Sequence, residues 1–215
     1  MKNKTGFTLA ETLITLVIIG VVAALTISTL INNTQDREFK SAWKKAYASV
    51  SSAFIRYYTD YGAYTGATSV DNFANAFLPY FQVSARYLTT DNDMTHGWIP
   101  TYYTKNHTAD YTYKSGDSVY YSRAVLADGT YLLFGSFAPN NCNYNSWPIS
   151  APKSCGFACV DVNGGKKPNT AGRDVYCSWV TNTKIIPYGA NIDNAYKNTC
   201  DTTGYGCASE YLTSG

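Results

Sequence analysis

The hydrophobic pattern of the chain begins with a short polar leader and continues into a long stretch without charge. The leader, residues 1–6, contains Lys2 and Lys4, whereas residues 12–31 contain no charged side chain. An apolar run of about 20 residues is long enough to cross the hydrocarbon core of a membrane as a helix. The pattern therefore predicts one membrane-spanning helix close to the N-terminus.

A second helical pattern follows directly. Aromatic and apolar residues recur every three or four positions, which is the spacing of one helix face, at Phe39, Trp43, Tyr47, Val50, Phe54 and Tyr57. Asp60, Tyr61 and Gly62 then supply a stop signal. We predict one helix from about Phe7 to about Asp60. Its first half, 7–31, is expected to cross the membrane. Its second half, 32–60, is expected to pack this face of aromatic and apolar residues, the aromatic stripe, against a soluble domain.

Residues 61–215 are expected to form that domain, mostly from strands and loops. Asp128-Gly129 lies between two β-rich runs and is a strong signal for a hairpin turn. Strands are predicted at residues 119–127, 130–134, 157–162, 174–180 and 184–186.

One short helix and one long loop complete the predicted domain. The helix is expected at 70–78, with Ser69 or Asp71 as its cap. Residues 91–117 are polar and rich in turn formers, so they are expected to form a long surface loop.

Six cysteines occur late in the chain, at Cys142, Cys155, Cys159, Cys177, Cys200 and Cys207. An even, clustered set behind a membrane segment predicts disulfides in an exported domain. Zinc binding is the weaker alternative, because the Cys155-x3-Cys159 pair has no matching second pair and neither His96 nor His107 lies nearby.

The cysteine spacing leaves the disulfide connectivity open, because six cysteines allow 15 pairings. We favour Cys200–Cys207, which closes a short terminal loop, and Cys159–Cys177, which joins two neighbouring predicted strands. Cys142 then pairs with Cys155.

An acidic residue, Glu11, lies at the front of the apolar stretch and requires an explanation. A carboxylate at the bilayer centre costs about 2.5–3.5 kcal/mol on insertion scales, so such a group usually has a partner. Cleavage after Gly6 would make the ammonium of Phe7 a new N-terminus about one helical turn from Glu11. Thr8-x-x-Glu11 is also a capping box, in which Glu11 accepts a backbone N–H at the helix start, and the two roles are compatible.

The block Gly6-Phe7-Thr8-Leu9-Ala10-Glu11 resembles the class III signal of type IV pilins and type II secretion pseudopilins. The resemblance implies that a prepilin peptidase cleaves after Gly6 and that Phe7 is N-methylated. It also implies that Glu11 docks on the amine of a neighbouring subunit during filament assembly. Many relatives have a proline midway along this helix, but residues 24–29 contain none, so no local unwinding is expected.

The resemblance further implies an α+β, pilin-like fold, in which a long N-terminal helix carries a head with an antiparallel sheet. The implied partners are identical or related pilin subunits, the prepilin peptidase, an inner-membrane assembly platform and, before assembly, the lipid bilayer. The alternative of an ordinary secretory signal is weaker, because such a signal has an apolar core of about 7–15 residues and a small-x-small cleavage site beyond it.

The basic residues do not predict which end of the membrane-spanning segment faces the cytoplasm, because Lys2 and Lys4 precede the segment while Arg37 and Lys40 follow it. The expected disulfides place the head outside and the leader inside. We therefore expect a single-pass protein of the bacterial inner membrane, with its head in the periplasm or outside, that later enters an extracellular or periplasmic filament.

Charge and motifs favour neither nucleic-acid binding nor catalysis. Removing Lys2 and Lys4 leaves 15 of the 17 basic residues, against 15 acidic ones. No Gly-x-Ser-x-Gly or His-Glu-x-x-His motif occurs, and there are only two histidines. We expect no enzyme activity, no catalytic residue and no cofactor.

The block from Asp161 to Asp174 is the one candidate for a metal site. Asp161, Asn163 and Asp174 offer oxygen atoms, which are the ligands that calcium prefers. The alternative is that Asx turns and glycines build a tight connection between two strands. We favour the tight connection, because the block lacks the regular acidic spacing of an EF-hand.

Two functions from different classes remain open. The first is a structural subunit of a type IV pilus or type II secretion pseudopilus. The second is a minor pilin whose head binds a surface, DNA or an exported substrate. The chain contains 20 tyrosines, which could form a binding face or serve strand propensity and contacts between subunits.

Overall fold

The structure is a computed structural model that describes residues 6, 8–66, 69–91, 96–98, 101–107, 110–112, 121–136, 142, 154–193 and 195–214. The chain divides into two compact units, residues 1–38 and 39–215. The first helix, α1 (Leu9–Tyr61), contributes residues to both units.

In the N-terminal unit, α1 is an uninterrupted helix with an exposed apolar surface. It continues through residues 24–29 without a break, as expected from the absence of proline. Large apolar side chains stay exposed along it, for example Ile14 at 60%, Leu16 at 65% and Leu25 at 70%. Among the described residues, α1 is the one helix that is long and apolar enough to cross a membrane.

Two further α-helices belong to the C-terminal unit. Helix α2 (Val70–Phe77) confirms the predicted short helix. Its cap is Ser69, whose hydroxyl accepts the N–H of Asn72, and a 3₁₀ turn follows at Leu78–Tyr80. Helix α3 (Cys207–Thr213) was not predicted, because seven residues give fewer than two turns of hydrophobic period.

The main sheet of the C-terminal unit has six strands: β1 (Val83–Tyr87), β4 (Tyr121–Leu126), β5 (Tyr131–Ser136), β6 (Ser154–Asp161), β7 (Val175–Thr181) and β8 (Ile185–Pro187). They lie in the order β1-β4-β5-β6-β7-β8, and every neighbouring pair is antiparallel. A second sheet pairs β2 (Thr101–Tyr103) with β3 (Asp110–Thr112). The long helix followed by an antiparallel sheet confirms the predicted α+β, pilin-like class.

The strand predictions are largely confirmed, with two corrections. The hairpin at Asp128-Gly129 joins β4 to β5, and the later strands β6 to β8 are all present. Strand β1 was missed. The prediction of one long loop over 91–117 was wrong in part, because β2 and β3 lie within it; these three-residue strands are too short for an alternation pattern to reveal.

The predicted aromatic stripe of α1 lies in the core of the C-terminal unit. Trp43, Val50 and Phe54 are buried, and Phe39, Tyr47 and Tyr57 are half-buried. The Trp43 ring stacks on Tyr176 of β7 at 4.7 Å between centroids, and its Nε1–H donates to the Ala208 carbonyl over 2.9 Å. The Phe54 ring lies 4.0 Å from that of Phe77 in α2. The stripe is therefore a packing surface, as predicted.

Three disulfides stabilise the C-terminal unit: Cys142–Cys155, Cys159–Cys177 and Cys200–Cys207. These are the three pairs that the sequence analysis favoured. Cys159 and Cys177 lie directly opposite each other on the adjacent strands β6 and β7. No described cysteine is left free.

We expect all six cysteines to be oxidised in this pairing in the native protein. Peptide mapping under non-reducing conditions should recover three cross-linked peptides that resolve on reduction. Free thiols throughout the chain, or a zinc content of one ion per chain, would contradict this prediction.

Replacing the buried indole should destabilise the C-terminal unit. Trp43→Ala removes the stack on Tyr176 and leaves the Ala208 carbonyl without its donor, so we expect a loss of about 3–5 kcal/mol in the free energy of unfolding. Urea unfolding of the oxidised full chain in detergent, followed by circular dichroism, measures this loss. The control is Ile55→Ala on the same helix, where the side chain is 60% exposed. Equal losses for the two variants would argue against the packing role of Trp43.

Candidate functional site: the N-terminal segment

Gly6 lies in open space in the structure. The residue is exposed, and a Cβ added to it would meet no atom within 4 Å. Nothing in the described part of the chain therefore requires glycine at this position. Phe7, the other predicted processing residue, lies outside the described residues.

Thr8 and Glu11 form the capping box that the sequence predicted. The Glu11 Oε2 atom accepts the backbone N–H of Thr8 over 2.8 Å and the Thr8 hydroxyl over 2.9 Å. In return, the Glu11 N–H donates to the Thr8 hydroxyl oxygen over 3.3 Å. The carboxylate therefore bonds the N-terminal end of α1, where the exposed N–H groups and the helix dipole favour negative charge.

The cap uses one oxygen of the Glu11 carboxylate. Both bonds from Thr8 end on Oε2, and the residue is exposed, so Oε1 stays accessible to a further donor. Within the described part of the chain, no basic side chain pairs with Glu11. The geometry thus leaves the carboxylate able to accept a cation from another molecule without loss of the cap.

The connection between β6 and β7 holds the residues that were considered for calcium. Asp161 ends β6, and its Oδ1 accepts the N–H of Asn163 over 3.1 Å in an Asx turn. The carboxylate of Asp174 accepts the N–H groups of Asn169 over 2.8 Å and Thr170 over 2.6 Å. These bonds match the tight connection that the sequence analysis favoured.

Both carboxylates of this connection are fully buried. Burial, together with the negative charge of Asp174, raises the pKa of Asp161 to about 9. Burial also raises the pKa of Asp174, although bonds from Thr170 and Asn169 oppose this shift. Among the described residues there is no group of three or more His, Cys, Asp or Glu side chains that could hold a metal ion.

Many described tyrosines serve packing in the C-terminal unit. Tyr64, Tyr176 and Tyr188 are buried, and the Tyr58 hydroxyl donates to the Thr181 carbonyl over 2.7 Å. Tyr113, Tyr120 and Tyr144 lie outside the described residues. For the described ones, the contacts favour the packing interpretation over a binding face.

Residues 1–27 match the family model described as the prokaryotic N-terminal methylation motif, which is the signature of type IV pilins and pseudopilins. No curated protein and no solved structure matches the chain significantly. The motif supports the interpretation that the chain is a structural subunit of the pilin or pseudopilin type. Together with the single apolar N-terminal helix, it indicates anchoring in a membrane before assembly.

Sequence reasoning predicted roles for Gly6, Phe7 and Glu11, but it did not single out one residue of the β6–β7 connection. Asn169 has a left-handed backbone, with φ of 54°, and its N–H bonds to Asp174. Its position after Pro168 marks a turn but reveals nothing about which carboxylate it contacts.

Proposed function

We propose that this chain is a structural subunit of a type IV pilus or a type II secretion pseudopilus. In this proposal, the chain is cleaved after Gly6, N-methylated at Phe7 and polymerised through its N-terminal helix. The observation that carries the proposal is the match of residues 1–27 to the methylation motif. The α+β, pilin-like layout of the chain supports it independently of that match.

The environment of Gly6 supports cleavage at this position. A peptidase must approach the backbone closely, and glycine permits such an approach because it has no Cβ. No contact with the described part of the chain requires the glycine, which is consistent with a role in access for an enzyme.

The exposed apolar surface of α1 supports assembly through this helix. Side chains such as Leu13 at 55%, Ile19 at 63% and Leu30 at 67% exposure cannot remain in water at this density without aggregation. Lipid covers them before assembly, and the corresponding helices of identical or related subunits cover them in the filament. An inner-membrane platform would move the subunit from the first environment to the second.

The disulfides support the orientation of the subunit. They form in oxidising compartments, so the head lies in the periplasm or outside the cell and the leader lies in the cytoplasm. The leader is then available to a prepilin peptidase acting on the cytoplasmic side.

The mature protein is expected to begin at Phe7 with an N-methylated amine. Mass spectrometry of the N-terminal peptide from membranes or sheared filaments tests this expectation. Gly6→Ala should retain residues 1–6, because the added Cβ meets no atom of the described residues but would interfere with the peptidase. A wild-type protein that keeps Met1, or one that begins beyond Ser28, would contradict the proposed function.

Glu11 is expected to matter for assembly and not for the fold of the head. Burying the Phe7 ammonium among apolar helices without a carboxylate opposite it costs about 3–5 kcal/mol. Glu11→Ala subunits should therefore accumulate in the inner membrane, processed and with intact disulfides, while filaments become sparse or vanish. Quantifying sheared filaments against membrane-retained subunit measures this effect.

Two further variants separate docking from helix capping. Glu11→Gln keeps an oxygen that can accept the Thr8 bonds but removes the charge, so we expect it to fail in assembly like Glu11→Ala. Thr8→Ala removes the hydroxyl partner of Glu11 but keeps the carboxylate, so filaments should persist. Normal filaments from Glu11→Gln, combined with a loss of filaments in processed Thr8→Ala, would show that Glu11 acts only as a cap.

A further inference from the structure

A groove in the C-terminal unit lies between α1 and the hairpin that joins β4 to β5. Its volume is about 210 Å³. Its floor is apolar, because the buried side chains of Val50, Leu132 and Val160 line it. Its rims are polar, with the exposed Lys45 on the helix side and the exposed Asp128 on the hairpin side. An apolar floor between polar rims is the usual anatomy of a protein–protein contact.

The carboxylate on the hairpin rim is only partly used within the chain. Asp128 Oδ1 accepts the Thr130 N–H over 3.1 Å and so holds the hairpin turn. Within the described residues, Asp128 has no ion pair with a basic side chain. The hairpin rim can therefore accept a cation from another molecule.

The size of the groove favours a protein side chain as its occupant. Pockets for small-molecule ligands usually measure about 300–1,000 Å³, which is more than this groove offers. Within the part of the chain that the structure describes, no side chain fills it. An aliphatic side chain from a neighbouring protein would cover the apolar floor and leave the polar rims at the edge of the contact.

The same unit presents an exposed aliphatic side chain on α1. Ile55 is 60% exposed, more than any other large aliphatic side chain among the described residues of the unit. One exposed aliphatic residue needs no explanation by itself. Here, however, the groove lies beside Ala46 of the same helix, nine positions earlier and about 14 Å away along the helix axis. Because both lie on one continuous helix, Ile55 cannot fill the groove of its own chain.

The charge next to Ile55 is complementary to the hairpin rim. Arg56 is exposed, and its guanidinium lies 5.2 Å from the centroid of the Tyr80 ring. Within the described residues, Arg56 has no ion pair with a carboxylate. An Ile55 side chain that enters the groove of a second copy brings Arg56 close to Asp128 of that copy. Complementary charges at a rim set the orientation of a contact.

We propose that Ile55 of one copy of this chain inserts into the groove of the next copy, with Arg56 beside Asp128. The inference rests on the proposed function, since it names one contact by which the heads pack in the filament. Ile55 and the groove are different surfaces of the same molecule, so the contact is head-to-tail. Repeated without closure, such a contact generates an open helical filament.

A cysteine pair tests the contact directly. Ser49 lines the groove and is exposed, and it lies six positions from Ile55, about 9 Å along the helix, which is too far for a disulfide within one chain. Mild oxidation of intact filaments of Ile55→Cys/Ser49→Cys should therefore give a ladder of dimers, trimers and larger multimers on a non-reducing gel. Cysteine is a small hydrophobe, so the contact weakens without being lost.

The controls of the cross-linking experiment use positions outside the groove. The variants Ile55→Cys and Ser49→Cys alone should give no species larger than a dimer, because each has one added thiol. The pair Ile55→Cys/Lys184→Cys should give no ladder. Lys184 is exposed in the turn between β7 and β8, at the opposite end of the main sheet from the hairpin.

Assembly variants test the same contact without cross-links. Ile55→Asp places an unpaired charge over the apolar floor, so sheared filaments should fall at least about tenfold. Ile55→Val keeps an aliphatic side chain and should assemble like wild type. Arg56→Asp and Asp128→Arg should each lower the yield of filaments, and the double variant should restore it. Urea unfolding in detergent checks that each head is folded.

The outcomes separate this inference from the proposed function. Filaments of wild-type abundance from Ile55→Asp would overturn the inference alone, as would intact filaments of the cysteine pair that give no ladder. Loss of filaments in Ser49→Trp but not in Ile55→Asp would also overturn it, because another segment would then occupy the groove. A wild-type chain that forms no filaments would overturn both. If Asp128→Arg does not fold, the cysteine pair and Ile55→Asp still decide the question.

Discussion

Helix α1 carries two apolar surfaces that must leave water, and the rest of the molecule depends on how each is covered. The aromatic stripe of its later turns is covered within the chain, by the sheet, by α2 and by α3, with Trp43 in contact with Tyr176 and Ala208. The uncharged surface of its earlier turns stays exposed along the described residues. Because the hydrophobic effect acts on both surfaces alike, the second one requires lipid or other subunits.

The two most buried strands of the C-terminal unit, β6 and β7, carry a disulfide and a buried carboxylate. Every residue of β7 is buried, and all but one residue of β6. Cys159 and Cys177 cross-link these strands in their middle, while Asp161 closes one end. A fully buried arginine, Arg123 of β4, stabilises a different part of the sheet by donating to the carbonyls of Leu88, Asp91 and His96. The Arg123 side chain thus connects the segment that follows β1 to the main sheet.

Two acidic features of the chain follow the same physical rule in different settings. A carboxylate with little access to water requires donors or a cation. Glu11 obtains donors from Thr8 in the single chain, and the proposed filament adds a cation from a neighbouring subunit. Asp161 accepts the backbone N–H of Asn163 on one oxygen, whereas its second oxygen is buried and accepts no hydrogen bond. In both cases the fold of one chain satisfies the carboxylate only in part.

The sequence by itself determined the features that arise from local pattern: the long helix with its stripe from Phe39 to Tyr57, the hairpin at Asp128-Gly129, the capping box and the methylation motif. Each of these depends on residues a few positions apart, so spacing and turn chemistry reveal it. The tertiary structure alone decided that β1 joins the edge of the main sheet and that β2 pairs with β3 inside an expected loop. It also brought Asn169 to Asp174 and left three buried side-chain oxygens of the β6–β7 connection without a hydrogen-bond partner. These features depend on burial and on contacts between distant segments, which a hydrophobic pattern does not encode.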